Sequence, residues 1–294
     1  MLSRRAFLKA GLMGGGALAL IPSLDWGSLL PPVPEAQRLG RNCTNGWINV
    51  RKKPDPYSES LGVLYEDSIV VWLREVIGAP SSNSRRWVET PEGYIYAPAL
   101  QPVRNLPNQP LTSLPETSMG RGMWMEVTVP FVNIYIANPP ARSPWIADVA
   151  QPRLYYSQVM WVDDIMTDSQ GNVLYRANEK YGSYGDIFWA AAEAFRPITQ
   201  EEIAPINPQA ENKRVVVDVN HQQLTCYEGN TEVYFCQVST GAKFDFQGNV
   251  VETWATPLGA HLPWRKVISI HMAGGSTGVG WDTPGIPWTI LFDA

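Results

Sequence analysis

The chain has 294 residues, 45% of them hydrophobic and 17% charged, with a formal net charge of −5 at pH 7. That length allows two or three domains, each with its own core. An acidic balance without a Lys/Arg cluster excludes a phosphate-backbone partner, so no nucleic acid is expected.

The 25 Pro, 24 Gly and 12 Trp favour short strands and turns, and no long helical pattern follows the N-terminus. An all-β fold is therefore expected. The chain opens with Ser3-Arg4-Arg5-Ala6-Phe7-Leu8-Lys9, followed by an apolar, Gly-rich stretch to Leu24. This resembles a twin-arginine export signal. Residues 1–26 are assigned to it, with Arg4 and Arg5 as its signature pair. The apolar stretch is short for a membrane span, so membrane contact is expected only through this signal or anchor. Ala17-Leu18-Ala19 has the form of a cleavage site but falls early, and an uncleaved anchor is the alternative.

Residues 27–44 read as a Pro-rich linker, stiffened by Pro31-Pro32-Val33-Pro34. Residues 45–104 carry short alternating runs: Trp47 to Arg51, Gly62 to Tyr65, Ser68 to Val76, Trp87 to Thr90 and Gly93 to Tyr96. Such spacing predicts a small β-barrel. The "INVR" start and the "WVE…GYIY" pair resemble the bacterial Src-homology-3-like barrel, which implies either cell-wall peptide binding or a spacer role. Residues 105–118, with Pro107, Pro110 and Pro115, read as a second linker. Residues 119–208 read as a second, divergent barrel, with strands near Trp124 to Val129 and Leu154 to Val162 and a turn at Asp168 to Asn172. Tyr155, Tyr156, Trp161, Tyr181, Tyr184 and Trp189 are expected mainly as core or cross-strand pairs. The other reading places them along a sugar- or peptide-binding groove.

Residues 209–294 hold the most specific pattern. Arg214 to Val219, Gln223 to Tyr227 and a run ending in Gln237-Val238-Ser239-Thr240-Gly241 precede Thr256-Pro257-Leu258-Gly259 and the apolar Trp288 to Phe292. This order resembles the front of an L,D-transpeptidase (YkuD-type) catalytic domain. The resemblance implies an incomplete transpeptidase β-sandwich behind two Src-homology-3-like barrels. It also implies cell-wall cross-linking: a Cys thiolate attacks a stem-peptide carbonyl, D-alanine leaves, and the amine of a second stem resolves the acyl-enzyme. The expected partners are peptidoglycan stem peptides, and no cofactor is implied. The family's His-Gly and Ser-His-Gly-Cys motifs do not occur before Ala294, so the chain is expected to lack the catalytic Cys and His.

The three Cys and three His are weighed individually. A nucleophilic thiol needs an electropositive, partly exposed setting. Cys43 sits at a linker edge, and Cys226 and Cys236 sit in strands as packing residues. A two-residue turn at Gly229-Asn230 would set Cys226 against Val233 and Cys236 against Gln223, on opposite sheet faces. His221 is expected in a solvated turn, His261 after the Thr256 to Gly259 turn, and His271 in a strand. His271 is the substrate-groove candidate, its alternative being a satisfied strand histidine. No HExxH, paired CxxC or acidic cluster is present, so no metal is expected. Gly274 to Gly280 is Gly-rich without a P-loop lysine and reads as a loop over the groove. Three functions compete: a transpeptidase-family enzyme, a non-catalytic cell-wall-binding envelope protein with a degenerate transpeptidase remnant, and an unrelated all-β envelope protein.

Overall fold

The computed structural model describes residues 30–292 apart from 83, 182–183, 242–248, 252–254 and 277–278. The expected export signal with Arg4 and Arg5 lies outside the described residues. The chain is all-β, with antiparallel pairing throughout the described sheets.

The first strand comes from a stretch that reads as linker. β1 (Leu39–Asn42) is buried along its whole length and pairs with both β4 (Ile69–Val71) and β8 (Leu100–Val103). The linker expected over 27–44 therefore ends before Leu39. A second sheet runs in the order β3-β2-β7-β6-β5, built from β2 (Trp47–Arg51), β3 (Ser60–Tyr65), β5 (Arg74–Ser81), β6 (Ser84–Thr90) and β7 (Gly93–Tyr96). Alternation sends Val50, Val88 and Ile95 inward to meet Val70, Trp72 and Leu100, giving one core between the two sheets.

After the short hairpin β9 (Glu116–Thr117) and β10 (Gly120–Arg121) comes the largest sheet. It has seven strands in the order β13-β12-β16-β15-β14-β11-β17. They are β11 (Met123–Val127), β12 (Phe131–Ile136), β13 (Arg153–Tyr155), β14 (Val159–Thr167), β15 (Val173–Asn178), β16 (Ile187–Ala191) and β17 (Phe195–Pro197). All seven send residues into a single cluster that includes Met125, Ile134, Leu154, Val162, Tyr175, Phe188 and Phe195. A sheet whose strands all share one core must curl around it. The segment expected as a second linker joins this core: Leu114 is buried in it, and the Leu111 N–H donates to the Tyr175 hydroxyl at 2.7 Å.

The remaining strands form two sheets. β18 (Lys213–Asp218), β19 (Gln223–Glu228) and β20 (Thr231–Gln237) make a three-stranded meander. β21 (Arg265–Ser276) and β22 (Val279–Leu291) make a long hairpin. The hairpin seats on the seven-stranded sheet: the Ser269 hydroxyl donates to the Val159 carbonyl at 2.6 Å, and Ile268 packs on the cluster of Trp124, Val159 and Trp161. The meander leaves Val215, Val216, Val217, Val233, Tyr234 and Phe235 exposed. Residues 209–294, expected to form part of one sandwich, thus contribute two separate sheets among the described residues.

Candidate functional site

A cleft of about 660 Å³ lies where the first unit, the seven-stranded sheet and the hairpin meet. Its walls include Glu66 and Asp67 from the first unit, Trp145, Arg153, Tyr155 and Gln158 from the second, and Asp282, Thr283 and Pro284 from the hairpin. Pockets at such junctions are common binding sites. Two buried ionic clusters hold the walls in place.

The first cluster centres on Asp67. It occupies a left-handed turn position, φ 62°, which Asp tolerates better than most residues. Its carboxylate accepts from Arg41 Nη1 and Arg153 Nη1, both at 2.5 Å, with a side chain only 5% exposed. Two cations on one buried carboxylate meet the requirement that buried charge be paired. The Arg41 guanidinium also donates to Gln101 Oε1 and lies 3.9 Å from the centre of the Tyr155 ring. Gln101 in turn donates to the Tyr156 carbonyl at 3.3 Å, so the network crosses from the first unit to the second. Burial, then the Asp67 charge, pushes the Tyr155 phenol up to about 12, against the pull of both arginines.

The second cluster is carboxylate–imidazole–carboxylate. Glu179 follows β15. His271 Nδ1 lies 2.6 Å from Glu179 Oε2, and Nε2 contacts Asp282 Oδ1. The His271 side chain is 1% exposed and that of Glu179 is 6%. A carboxylate only accepts hydrogen bonds, so an imidazole between two of them carries both protons. Burial pulls the His271 pKa down, but the bonds and charges of Glu179 and Asp282 outweigh it and hold the ring above its ordinary value. Burial pushes Glu179 up despite His271, and Glu179 Oε1 has no hydrogen-bond partner among the described residues. Asp282 alone of the three reaches the cleft, so it presents the cluster to a ligand.

Further contacts fix the floor. Asp186 is buried and accepts from the Arg142 N–H at 3.0 Å and from the Ser143 N–H and hydroxyl at 2.8 and 2.7 Å. Burial opposes its ionisation, but these bonds outweigh it and hold its carboxyl below the ordinary range. They anchor the short helix α1 (Pro144–Ala147), whose Trp145 N–H donates to Asp282 Oδ2 at 3.3 Å. Gln158 accepts from the Tyr155 N–H at 2.6 Å and donates to the Pro284 carbonyl at 2.7 Å. Gly285 follows at φ 63°, where an added Cβ would lie 2.9 Å from Met160 Sδ.

His271, the residue singled out from sequence, lies behind the cleft wall instead of lining it. His221 is exposed and contacts Asp218 Oδ2 at 2.7 Å. His261 packs edge-on against Phe292, its Nε2 without a partner among the described residues. Of the aromatic set, Trp161 is buried and packs against Trp124, which stacks on Tyr181. Tyr155 lines the cleft, and Tyr184 meets the His271 ring at 5.3 Å. Of the Gly-rich run, the described backbone belongs to the hairpin, with Gly274 paired to Trp281 and Gly275 to Gly280. The Ser239-Thr240-Gly241 and Thr256 segments do meet, the Gly241 N–H donating to Thr256 Oγ1 at 2.9 Å.

The cysteine register differs from expectation. A bulge between Cys226 and Tyr227 pairs Cys226 with Tyr234 and Cys236 with Leu224, so both thiols share one face. Both are half-buried and free, and Cys43 is exposed and free. Among the described residues no hydrogen bond joins a thiol to an imidazole, no group of three or more His, Cys, Asp or Glu side chains is placed to hold a metal ion, and no helix is long and apolar enough to cross a membrane.

Glu66, Asp67, Arg153 and Asp282 were not legible as a site, because the Glu66-Asp67 pair lies far in sequence from Arg153 and Asp282 and none of them falls in a motif. Comparison with protein-family models, with curated proteins and with solved structures gives no match, so the site is read from its own geometry.

Proposed function

We propose that this is an exported cell-envelope protein of the L,D-transpeptidase kind, whose described residues hold a cell-wall stem peptide. The observation that carries the reading is the paired charge of the cleft. Glu66 is exposed at the rim and forms no ion pair among the described residues. Asp282 lies deeper, backed by His271. Arg153 spends Nη1 on Asp67 and Nε on Asn133, leaving Nη2 without a partner among the described residues. Two carboxylates and a guanidinium suit a peptide with both a free ammonium and a free carboxylate. A stem peptide with a diamino acid and a terminal D-alanine has both. In this reading the cleft orients peptide, and acyl transfer itself requires a thiolate activated by a base.

The second reading is a non-catalytic cell-wall-binding protein, for which the charge pairing of the cleft alone would serve. Calorimetric titration of the full chain with a synthetic stem tetrapeptide tests both readings. Binding that weakens about tenfold in Glu66→Gln or Asp282→Asn, and that falls with salt, supports the cleft assignment. Saturating binding that ignores both substitutions would exclude it. Release of D-alanine separates the enzyme from the binder.

A further inference from the structure

The first unit carries an aromatic platform beside the cleft. Trp47 and Tyr65 are direct cross-strand partners on β2 and β3, and Asn49 pairs with Val63 two positions along. These four share the outward face, because Ile48 and Leu64 between them pack against the core of the unit. Trp47 is 60% exposed and Tyr65 is 66% exposed. Large aromatic faces left in water side by side mark contact sites more often than scattered apolar residues do.

The platform is pre-set from beneath. Asn42 is fully buried, and its Nδ2 donates to the carbonyls of Gly46 at 3.3 Å and Leu64 at 3.0 Å. Those carbonyls immediately precede Trp47 and Tyr65, so one buried amide fixes both ring-bearing backbones. Little ordering entropy then remains to be lost on binding. The Ser60 hydroxyl donates to Asn49 Oδ1 at 2.9 Å. Among the described residues Asn49 Nδ2 has no acceptor, so it can donate to a ligand carbonyl.

The four outward positions bear no charge. A phosphate, a carboxylate or an ammonium finds no partner on them, whereas a neutral sugar ring finds two aromatic faces and an acetamido oxygen finds the Asn49 amide. The platform also adjoins the cleft: Asn45 and Glu66, both cleft-lining, stand two residues from Trp47 and next to Tyr65. We infer that Trp47, Tyr65 and Asn49 form a subsite for a neutral N-acetylated hexosamine, the glycan portion of a ligand whose peptide portion lies in the cleft. This deepens the cell-wall reading and rests on it.

The test uses the full chain with two separate probes, a neutral N-acetylglucosamine tetramer and a sugar-free stem tetrapeptide. Saturation-transfer NMR should detect the oligosaccharide, with binding reduced about tenfold or more in Trp47→Ala and Tyr65→Ala, or ~1.4 kcal/mol. Asn49→Ala should lower affinity for the acetylated sugar but not for its deacetylated form. Peptide affinity should be unchanged in all three variants, and unaltered melting curves confirm that they fold. Sugar binding without peptide binding would uphold this subsite and sink the cleft assignment. Peptide binding without sugar binding, or sugar binding indifferent to Trp47 and Tyr65, would overturn the inference. So would a dimer in sedimentation that dissolves in Trp47→Ala, since the rings would then be covered by a second copy.

Discussion

Replacing His271 with Ala should release the hairpin from the seven-stranded sheet. The substitution removes the cation between Glu179 and Asp282 and leaves two carboxylates facing each other across a cavity, with the Glu179 side chain 6% exposed. Removing one member of a buried ion pair costs about 3–5 kcal/mol, mostly from the uncompensated charge left behind. The attachment that suffers is local: Ser269 to Val159, the His271 N–H to the Tyr181 carbonyl at 3.1 Å, and Gln158 to Pro284. Hydrogen exchange is therefore the assay, because it reads sub-global opening. Amides of β21 and β22 should exchange hundreds to thousands of times faster, while those of β2 and β6 keep their rates. If stranded carboxylates cause the loss, adding Glu179→Gln to His271→Ala should restore part of it. Simple additivity of the two losses would refute the electrostatic argument.

The same cluster sets a pH dependence. Glu179 and His271 both have folded pKa values above their ordinary ones, so the folded state holds protons more tightly than the unfolded chain. Their contribution is fully present below the unfolded values and is lost as pH rises through the folded ones. Asp282 and the Tyr184 ring are the other groups facing His271. Hairpin protection should decline with alkalinity, first from about pH 4.5, the ordinary glutamate value, and then from about pH 6.5, the ordinary histidine value. A profile flat from there into the alkaline range would contradict a protonated His271.

Asp67→Asn strips the shared counter-charge from Arg41 and Arg153 and should cost about 3 kcal/mol or more in chemical denaturation. It should also lower the Tyr155 phenol pKa, read by phenolate absorbance, because the raising charge goes and the two lowering charges stay. Gly285→Ala should loosen the hairpin by more than 1 kcal/mol or so, seen by hydrogen exchange, since the new Cβ meets Met160 and the Val159 carbonyl at a positive φ. Timed alkylation with mass readout should modify the exposed Cys43 first and Cys226 later, burial pushing the Cys226 thiol up.

The strand content was legible from short β-prone runs set between turn residues. Trp47 to Val50 alternates, with Ile48 and Val50 turned to a core, whereas Trp124 to Val127 and Ile187 to Ala190 are mainly apolar runs that also became strands. β1 was hidden because Leu39-Gly40-Arg41-Asn42 buries two polar side chains, which only distant partners make tolerable: Asp67 and Gln101 for Arg41, Leu64 for Asn42. The Cys226 face was missed because a single bulged residue reverses it, and nothing in Tyr227-Glu228-Gly229 announces a bulge. His271 stood out by its place in an alternating run. Its function in the fold did not, because Glu179 is 92 residues away, just past the end of a strand in another sheet.

Buried ionic clusters are poor stabilisers, and that makes their purpose here testable. An apolar triple replacement of similar volume, Glu179→Leu, His271→Phe and Asp282→Leu, removes every charge together and leaves none stranded. Such replacements are often neutral or stabilising by about 1–4 kcal/mol. The hairpin already has an apolar contact to hold it, with Ile268 packed on the cluster of Trp124, Val159 and Trp161. Calorimetric melting of the triple variant should therefore match or exceed that of the parent. Peptide affinity should nonetheless fall about tenfold or more, because Asp282 is the cluster's face in the cleft. A stable variant that no longer binds would assign the cluster to recognition, at some cost in stability. A variant that unfolds would assign it to the docking of the hairpin. A stable variant that still binds would leave Glu66 and Arg153 as the groups that recognise the peptide, and the part given to Asp282 would be wrong.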